Sequence, residues 1–251
     1  MSGHVYSGGF YDYIDDGSRR SARKVASLLL EEIAIDSLLD VGAGHGAWAA
    51  EWLAAGVADI VAMDGDYVDR SRLAIPAEAF KPHNLELPFD LGRRFDLVQS
   101  LEVAEHLPAA AADGFVNSIV KHGDIVLFSA AVPNQGGEHH VNEQVPEYWR
   151  RKFAAHGYQA YDWLRPQLAA EKAVMPWYRF NSIVYANAAG ATRLSDGVRK
   201  TLVSQETMLP IGGDLAWKLR RSAVGLVPAP LVKPIAMAKA YVETRFRGQA
   251  G

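Results

Sequence analysis

Cysteine is absent from all 251 residues. That removes disulfides, thiolate metal centres and cysteine nucleophiles together, and it fits a reducing compartment. Long apolar runs are missing as well, since no stretch reaches the roughly 20 residues that cross a bilayer. Met1 to Tyr6 has no basic region leading into an apolar one, so it does not read as a secretory signal and a cytoplasmic location is expected. Charge is also modest. Charged residues make up 22% of the chain with a net value of −3, which provides no global field to attract a polyanion. Nucleic acid is therefore not an expected partner. There is no internal repeat and no low-complexity tract. What is present is an ordinary globular composition, 49% hydrophobic, enough for one substantial core.

Residues 1–20 are aromatic, polar and glycine-rich, with Tyr6, Phe10, Tyr11 and Tyr13 close together, and they read as a lid-like segment. From Ser18 the pattern turns helical. Ser18 or Ser21 could cap it, and Val25, Leu28, Leu29 and Ile33 fall at helical spacing. A regular alternation follows. Ser37 to Gly42 reads as a short buried strand ending in a glycine turn, Ala47 to Ala55 as a helix, and Asp59 to Asp64 as a second strand. A weaker third lies around Ala77 to Leu85, with Pro82 bending its end. Phe95 to Leu101 is a fourth strand, Ala109 to Val120 a helix, and Asp124 to Ala131 a fifth strand. Strands alternating with helices imply a parallel sheet covered on both faces.

Beyond Pro133 the rhythm changes. A polar loop is followed by a helix over Pro146 to His156, and then by strands over Tyr158 to Leu164 and Phe180 to Ala186 that suit an antiparallel closing pair. The expected fold class is α/β, a Rossmann-like doubly wound sheet that is mostly parallel with an antiparallel C-terminal strand pair. The expected division is a lid at 1–20, a main domain at 21–190 and a helical extension at 191–251.

The most informative stretch is Leu38-Leu39-Asp40-Val41-Gly42-Ala43-Gly44-His45-Gly46. Glycines after a strand let the backbone turn tightly and approach a ligand where a Cβ would collide. Asp64, about 20 residues on, ends the next strand and can accept hydrogen bonds from ribose hydroxyls. The glycines alone also satisfy a dinucleotide fingerprint, which keeps NAD in play. Asp40 argues otherwise, because a carboxylate just before the first glycine repels a pyrophosphate and suits an ammonium.

Leu39 to Gly46 resembles the first motif of class I S-adenosylmethionine-dependent methyltransferases. Asp64-Gly65-Asp66 resembles their acidic second motif, and Phe95 to Leu107 their fourth-strand motif. The likeness spans roughly residues 11 to 187. It implies S-adenosylmethionine as cofactor, with Gly42, Ala43 and Gly44 lining the methionine portion, Asp40 near its ammonium, and Asp64 with Gly65 at the ribose. Asn84, followed by Leu85, stands where family members commonly place an acid for the adenine amino group. Ser100, Leu101 and Glu102 would border the reacting end. Tyr11 and Ser21 belong to the N-terminal segment that related enzymes fold over the cofactor.

Two clusters offer a base for an oxygen acceptor. Glu102, Glu105 and His106 follow the fourth strand, and Glu138, His139 and His140 lie in the loop beyond the fifth. Histidine titrates near neutral pH, which makes His140 and His106 the candidates, with Glu105 beside them. Carboxylates and histidines together could hold a divalent metal, but no ligand spacing is diagnostic and no metal ligand is assigned. The loop from Gly136 to Gln144 resembles a motif of methyltransferases from polysaccharide and natural-product gene sets. The expected activity is O-methylation of a small-molecule or saccharide hydroxyl, with an N-methyltransferase or an NAD-dependent oxidoreductase as alternatives. Trp149, Trp163, Trp177 and Tyr178 could wall the acceptor or simply fill the core.

Overall fold

A computed structural model describes the backbone of residues 8–227 and the side chains of residues 16–227. The first helix, α1 (Gly8–Glu32), leads into β1 (Ser37–Val41), α2 (Ala47–Ala54), β2 (Asp59–Asp64), β3 (Phe80–Pro82) and β4 (Leu97–Leu101). Then come α3 (Ala112–His122), β5 (Ile125–Ser129), α4 (Pro146–Ala154), β6 (Gln159–Tyr161), α5 (Leu164–Leu168), α6 (Pro176–Asn181) and β7 (Ile183–Ala186). The helices α7 (Ala188–Ala191), α8 (Asp196–Arg199) and α9 (Leu215–Gly225) close the described chain. The seven strands form one sheet in the order β3-β2-β1-β4-β5-β7-β6. The first five pair in parallel, and β7 runs antiparallel to both β5 and β6. The expected Rossmann-like architecture, including its reversed end, is what forms.

Alternation along the strands explains why both faces are covered. Leu38, Ile60, Ala62, Leu97, Ile125, Leu127, Val184 and Ala186 enter one core with α1 and α2. Their sequence neighbours Leu39, Val61, Met63, Val98, Val126, Phe128, Ile183 and Tyr185 enter the other with α3 and α4. Successive strand residues point to opposite faces, so a strand apolar at every position needs a helix layer on each side. Full burial of each such side chain contributes about 1.5–3 kcal/mol. Two polar residues interrupt the first face at mid-sheet, Asp40 and Gln99, which are register partners on β1 and β4.

The structure departs from the sequence reading in three places. The first helix begins at Gly8, so the boundary expected after residue 20 falls inside α1. Ser18 and Ser21 are interior residues of that helix and not its caps. Ser21 Oγ donates back to the Gly17 carbonyl (2.7 Å), and Ser18 Oγ lies 3.2 Å from the Tyr178 hydroxyl. The third strand shrinks to Phe80–Pro82 on the sheet edge, where a proline without an N–H is tolerated. The two closing strands are shorter than expected because α5 and α6 take up the chain between them, α6 opening with Pro176 at its first position. Part of the expected C-terminal extension, from residue 228 on, lies outside the described residues. Within the described residues no helix is long and apolar enough to cross a membrane.

Candidate active site

The strand ends of β1, β2 and β4 carry one half of the site. Gly42 has φ +86°, and a Cβ there would stand 2.2 Å from Val103 Cγ2, so this position requires glycine twice over. The N–H groups of Gly42 and Ala43 both donate to the Met63 carbonyl, at 2.8 and 3.0 Å, and that of Gly46 donates to Ala43. Gly44 N–H donates to Asp64 Oδ2 at 2.7 Å. The second-motif acid is thus a structural member of the glycine turn. With these four amides engaged, the turn keeps few of the donors that hold a pyrophosphate at such loops. Gly44, at φ +55°, has nothing within 4 Å of where its Cβ would stand, which leaves open space beside the turn.

Asp64 Oδ1 also accepts from the Gly65 N–H (2.6 Å) and from the Tyr67 hydroxyl (2.5 Å), Tyr67 itself being largely exposed. Asp40 is buried, and its Oδ2 has no hydrogen-bond partner. Burial pushes its carboxyl up to about 7, against a lowering effect of the nearby Gln99 side chain, and the negative charge of Asp64 adds to the rise. Gln99 in turn accepts from Trp52 Nε1 at 2.9 Å. Ser100 and Leu101 are buried at the end of β4, and Ser100 Oγ is likewise without a partner. Unpartnered buried acceptors beside an open turn fit a ligand that brings donors and positive charge.

The remaining cofactor candidates sit differently. Leu85 is buried in the second core, while Asn84 is exposed and its Oδ1 accepts the Glu86 N–H at 3.1 Å, closing a turn. The Ser21 hydroxyl is engaged within the fold, donating to Gly17 and accepting from the Met175 N–H. Tyr11 lies on α1, and its side chain is outside the described residues. Trp149, Trp163 and Tyr178 belong to the cores, and Trp177 packs partly buried against one of them.

The other half of the site gathers around the residue after β4. Glu102 adopts φ 56°, left-handed for a residue with a side chain, and its N–H donates to the carbonyl and hydroxyl of Ser129 on β5. Such a conformation is costly and persists only where surroundings impose it. Its carboxylate accepts from Gln135 Nε2 (2.6 Å) and Asn181 Nδ2 (3.2 Å), and Asn181 also donates to Gln135 Oε1 (2.8 Å). Burial raises Glu102 despite these bonds.

Glu105 is fully buried, and neither carboxylate oxygen accepts a hydrogen bond. Burial, with the charge of Glu102 second, holds its carboxyl well above the usual range. Its carbonyl accepts the N–H groups of Val141 (2.9 Å) and Asn142 (3.0 Å), which stitches the second histidine loop onto the first cluster. His140 Nε2 then stands 4.0 Å from Glu105 Oε1, and the rings of His106 and His140 meet edge to face at 4.9 Å. His106 keeps an exposed side, and its imidazole is held below its ordinary range by the groups crowding the rest of the ring and by His140. His139 sits in the loop at φ 57°, with its backbone beside the His106 ring.

Sequence reasoning missed the residues that hold this half together. Glu143 Oε1 lies 2.9 Å from His140 Nδ1 and accepts the Gly136 N–H, while its Oε2 accepts the Asn134 N–H. Burial alone would raise Glu143, but its bonds and the charge of His140 overcome that and hold it low. From α9, Arg220 and Arg221 donate to the carbonyls of Gln135 and Pro133, so the C-terminal extension braces the histidine loop. Glu143 had a signal, as a carboxylate three residues from a candidate histidine. Gln135, Asn181 and the arginines had none.

Comparison with known proteins identifies the family and the fold. A family model described as a methyltransferase domain matches residues 13–168. No curated protein matches the chain. Among solved structures, Streptomyces venezuelae DesVI aligns with 74% of this chain and 100% of its own at 16% identity, with a TM-score of 0.54. The sugar N-methyltransferase KedS8 from Streptoalloteichus sp ATCC 53650 aligns with 74% of this chain and 97% of its own, at 17% identity and a TM-score of 0.54. CalS10 from Micromonospora echinaspora, an amino pentose methyltransferase solved with S-adenosylmethionine bound, aligns with 75% and 100% at 16% identity and 0.51. At these identities the likeness is one of fold.

Proposed function

Because the chain belongs to the methyltransferase-domain family, we propose that it transfers the methyl group of S-adenosylmethionine to a hydroxyl of a small molecule or saccharide. When bound, that cofactor supplies an activated methyl carbon and a thioether leaving group. The chain's residues hold and orient. Asp40, buried with its Oδ2 unpartnered, receives the ammonium; the open side of Gly44 admits the amino-acid portion; Asp64 receives the ribose, with Tyr67 giving up or sharing Oδ1. Leu85 borders the nucleoside, and Ser100 and Leu101 border the reacting end.

The observation that supports the oxygen acceptor is the convergence of Glu105, His106 and His140 beyond the ends of β4 and β5. A hydroxyl is a poor nucleophile until its proton is drawn away, and a carboxylate–histidine cluster is the machinery for that. His140 and His106 stand together with Glu105, so activation belongs to the cluster and not to one isolated imidazole. Involvement of NAD is disfavoured by the family and by the engaged amides of the glycine turn.

Nitrogen methylation is the second reading, favoured by two proteins of similar fold, the sugar N-methyltransferase KedS8 and the amino pentose methyltransferase CalS10. Those two also favour a sugar acceptor of the natural-product kind. The test is incubation with methyl-labelled S-adenosylmethionine and matched hydroxyl and amino sugars, with the methylated position located by NMR. Label on oxygen supports the proposal. Label only on nitrogen replaces it with the second reading, and failure to bind S-adenosylhomocysteine in calorimetry overturns both.

A further inference from the structure

Glu105, His106 and His140 each offer one ligand atom, and these three atoms lie within 4.8 Å of one another. A cation with bonds of about 2.1 Å separates neighbouring ligands by about 3 Å and opposite ones by about 4.2 Å, so small side-chain rotations close the set. Two further observations point to a ligand. Glu105 is fully buried with both oxygens unpartnered, a costly arrangement for a carboxylate unless something positive arrives. His140 has its Nδ1 committed to Glu143 at 2.9 Å, which turns Nε2 toward Glu105, the usual way a protein fixes the tautomer of a ligating histidine.

We propose that Glu105, His106 and His140 form a site for a divalent first-row transition cation. Two nitrogens and one carboxylate oxygen suit the Mn2+ to Zn2+ series, whereas Mg2+ and Ca2+ prefer all-oxygen shells. Three protein ligands leave positions open, and the exposed side of His106 is the way in. The inference rests on the oxygen-acceptor reading for its purpose. An acceptor hydroxyl bound at an open position loses its proton to water more readily. Its oxygen then forms the new bond to the methyl carbon as the carbon–sulfur bond breaks and its electron pair returns to sulfur. The ligands are drawn from two segments that meet only in the fold, which is why no spacing in the sequence announces them.

The test is done on the full chain, stripped with chelator and repurified. Mn2+ binding is followed by electron paramagnetic resonance and Co2+ binding by visible absorption, with S-adenosylhomocysteine affinity measured on the same samples. One ion per chain with nitrogen couplings is expected. Glu105→Gln and His140→Ala should each weaken it about tenfold or more while S-adenosylhomocysteine still binds. Should Glu105→Gln fail to fold, His140→Ala, on a loop, decides alone. Absence of binding by both ions, or binding that neither variant weakens, overturns the proposal. Metal failure with S-adenosylhomocysteine still bound leaves the methyltransferase reading standing; metal binding without S-adenosylhomocysteine removes that reading instead.

Discussion

His140 and Glu143 are joined at 2.9 Å through Nδ1 and Oε1, and the same carboxylate collects the amides of Asn134 and Gly136. One side chain therefore shapes the loop and aims its imidazole. Glu143→Ala should lower kcat by about 10–100-fold and cost about 1–3 kcal/mol of stability. Steady-state kinetics beside thermal denaturation check both, and unchanged kcat in a folded variant would detach His140 from the reaction.

Gly137, lacking a Cβ, leaves room for the His140 ring. A Cβ at Gly137 would stand 2.3 Å from His140 Cε1 and Nε2, and the glycine is not held in the left-handed region. Gly137→Ala should displace the ring with little loss of stability. Activity is expected to fall while S-adenosylhomocysteine affinity stays the same.

Asp64→Ala removes the acceptor for Gly44, Gly65 and Tyr67 at once. The glycine turn loses its brace and the ribose its partner. Cofactor affinity should drop by about 1–3 kcal/mol, read by calorimetry with S-adenosylhomocysteine. Unchanged affinity in a folded variant would place the ribose elsewhere.

Asp40 gives a pH dependence whose sign is fixed. Unfolded, it releases its proton in the ordinary carboxylate range; folded, only near 7, because it is buried with Asp64 close by. Between those values the folded form holds a proton that the unfolded form has lost. This residue's contribution to stability therefore declines as pH rises through that window. An incoming ammonium prefers the ionised form. Affinity for S-adenosylhomocysteine should weaken by up to about tenfold per pH unit below 7. Asp40→Asn should flatten that profile, and an equally steep profile in the variant would move the ammonium away from this residue.

Legibility in the sequence followed the range of the interactions. The strands from Ser37 to Val41 and from Asp59 to Asp64 were readable because alternation and a glycine turn are local. The glycines after β1 and the acid ending β2 were readable for the same reason, and the bond from Gly44 to Asp64 shows the acid building the turn. The start of α1 was not readable, since Ser18 and Ser21 look like caps until Tyr178 and Met175 arrive from far along the chain to occupy them. The role of α9 was hidden too, because Arg220 and Arg221 act on carbonyls more than eighty residues away.

By itself the sequence determined the doubly wound sheet, the glycine turn and the acids that flank it. Backbone periodicity and turn chemistry are set by neighbours a few residues apart. Only the tertiary structure decided that Glu105 and His106, after β4, would face His140, beyond β5. That meeting depends on β4 and β5 lying side by side and on the Glu105 carbonyl capturing the amides of Val141 and Asn142, contacts that exist only once the sheet has closed.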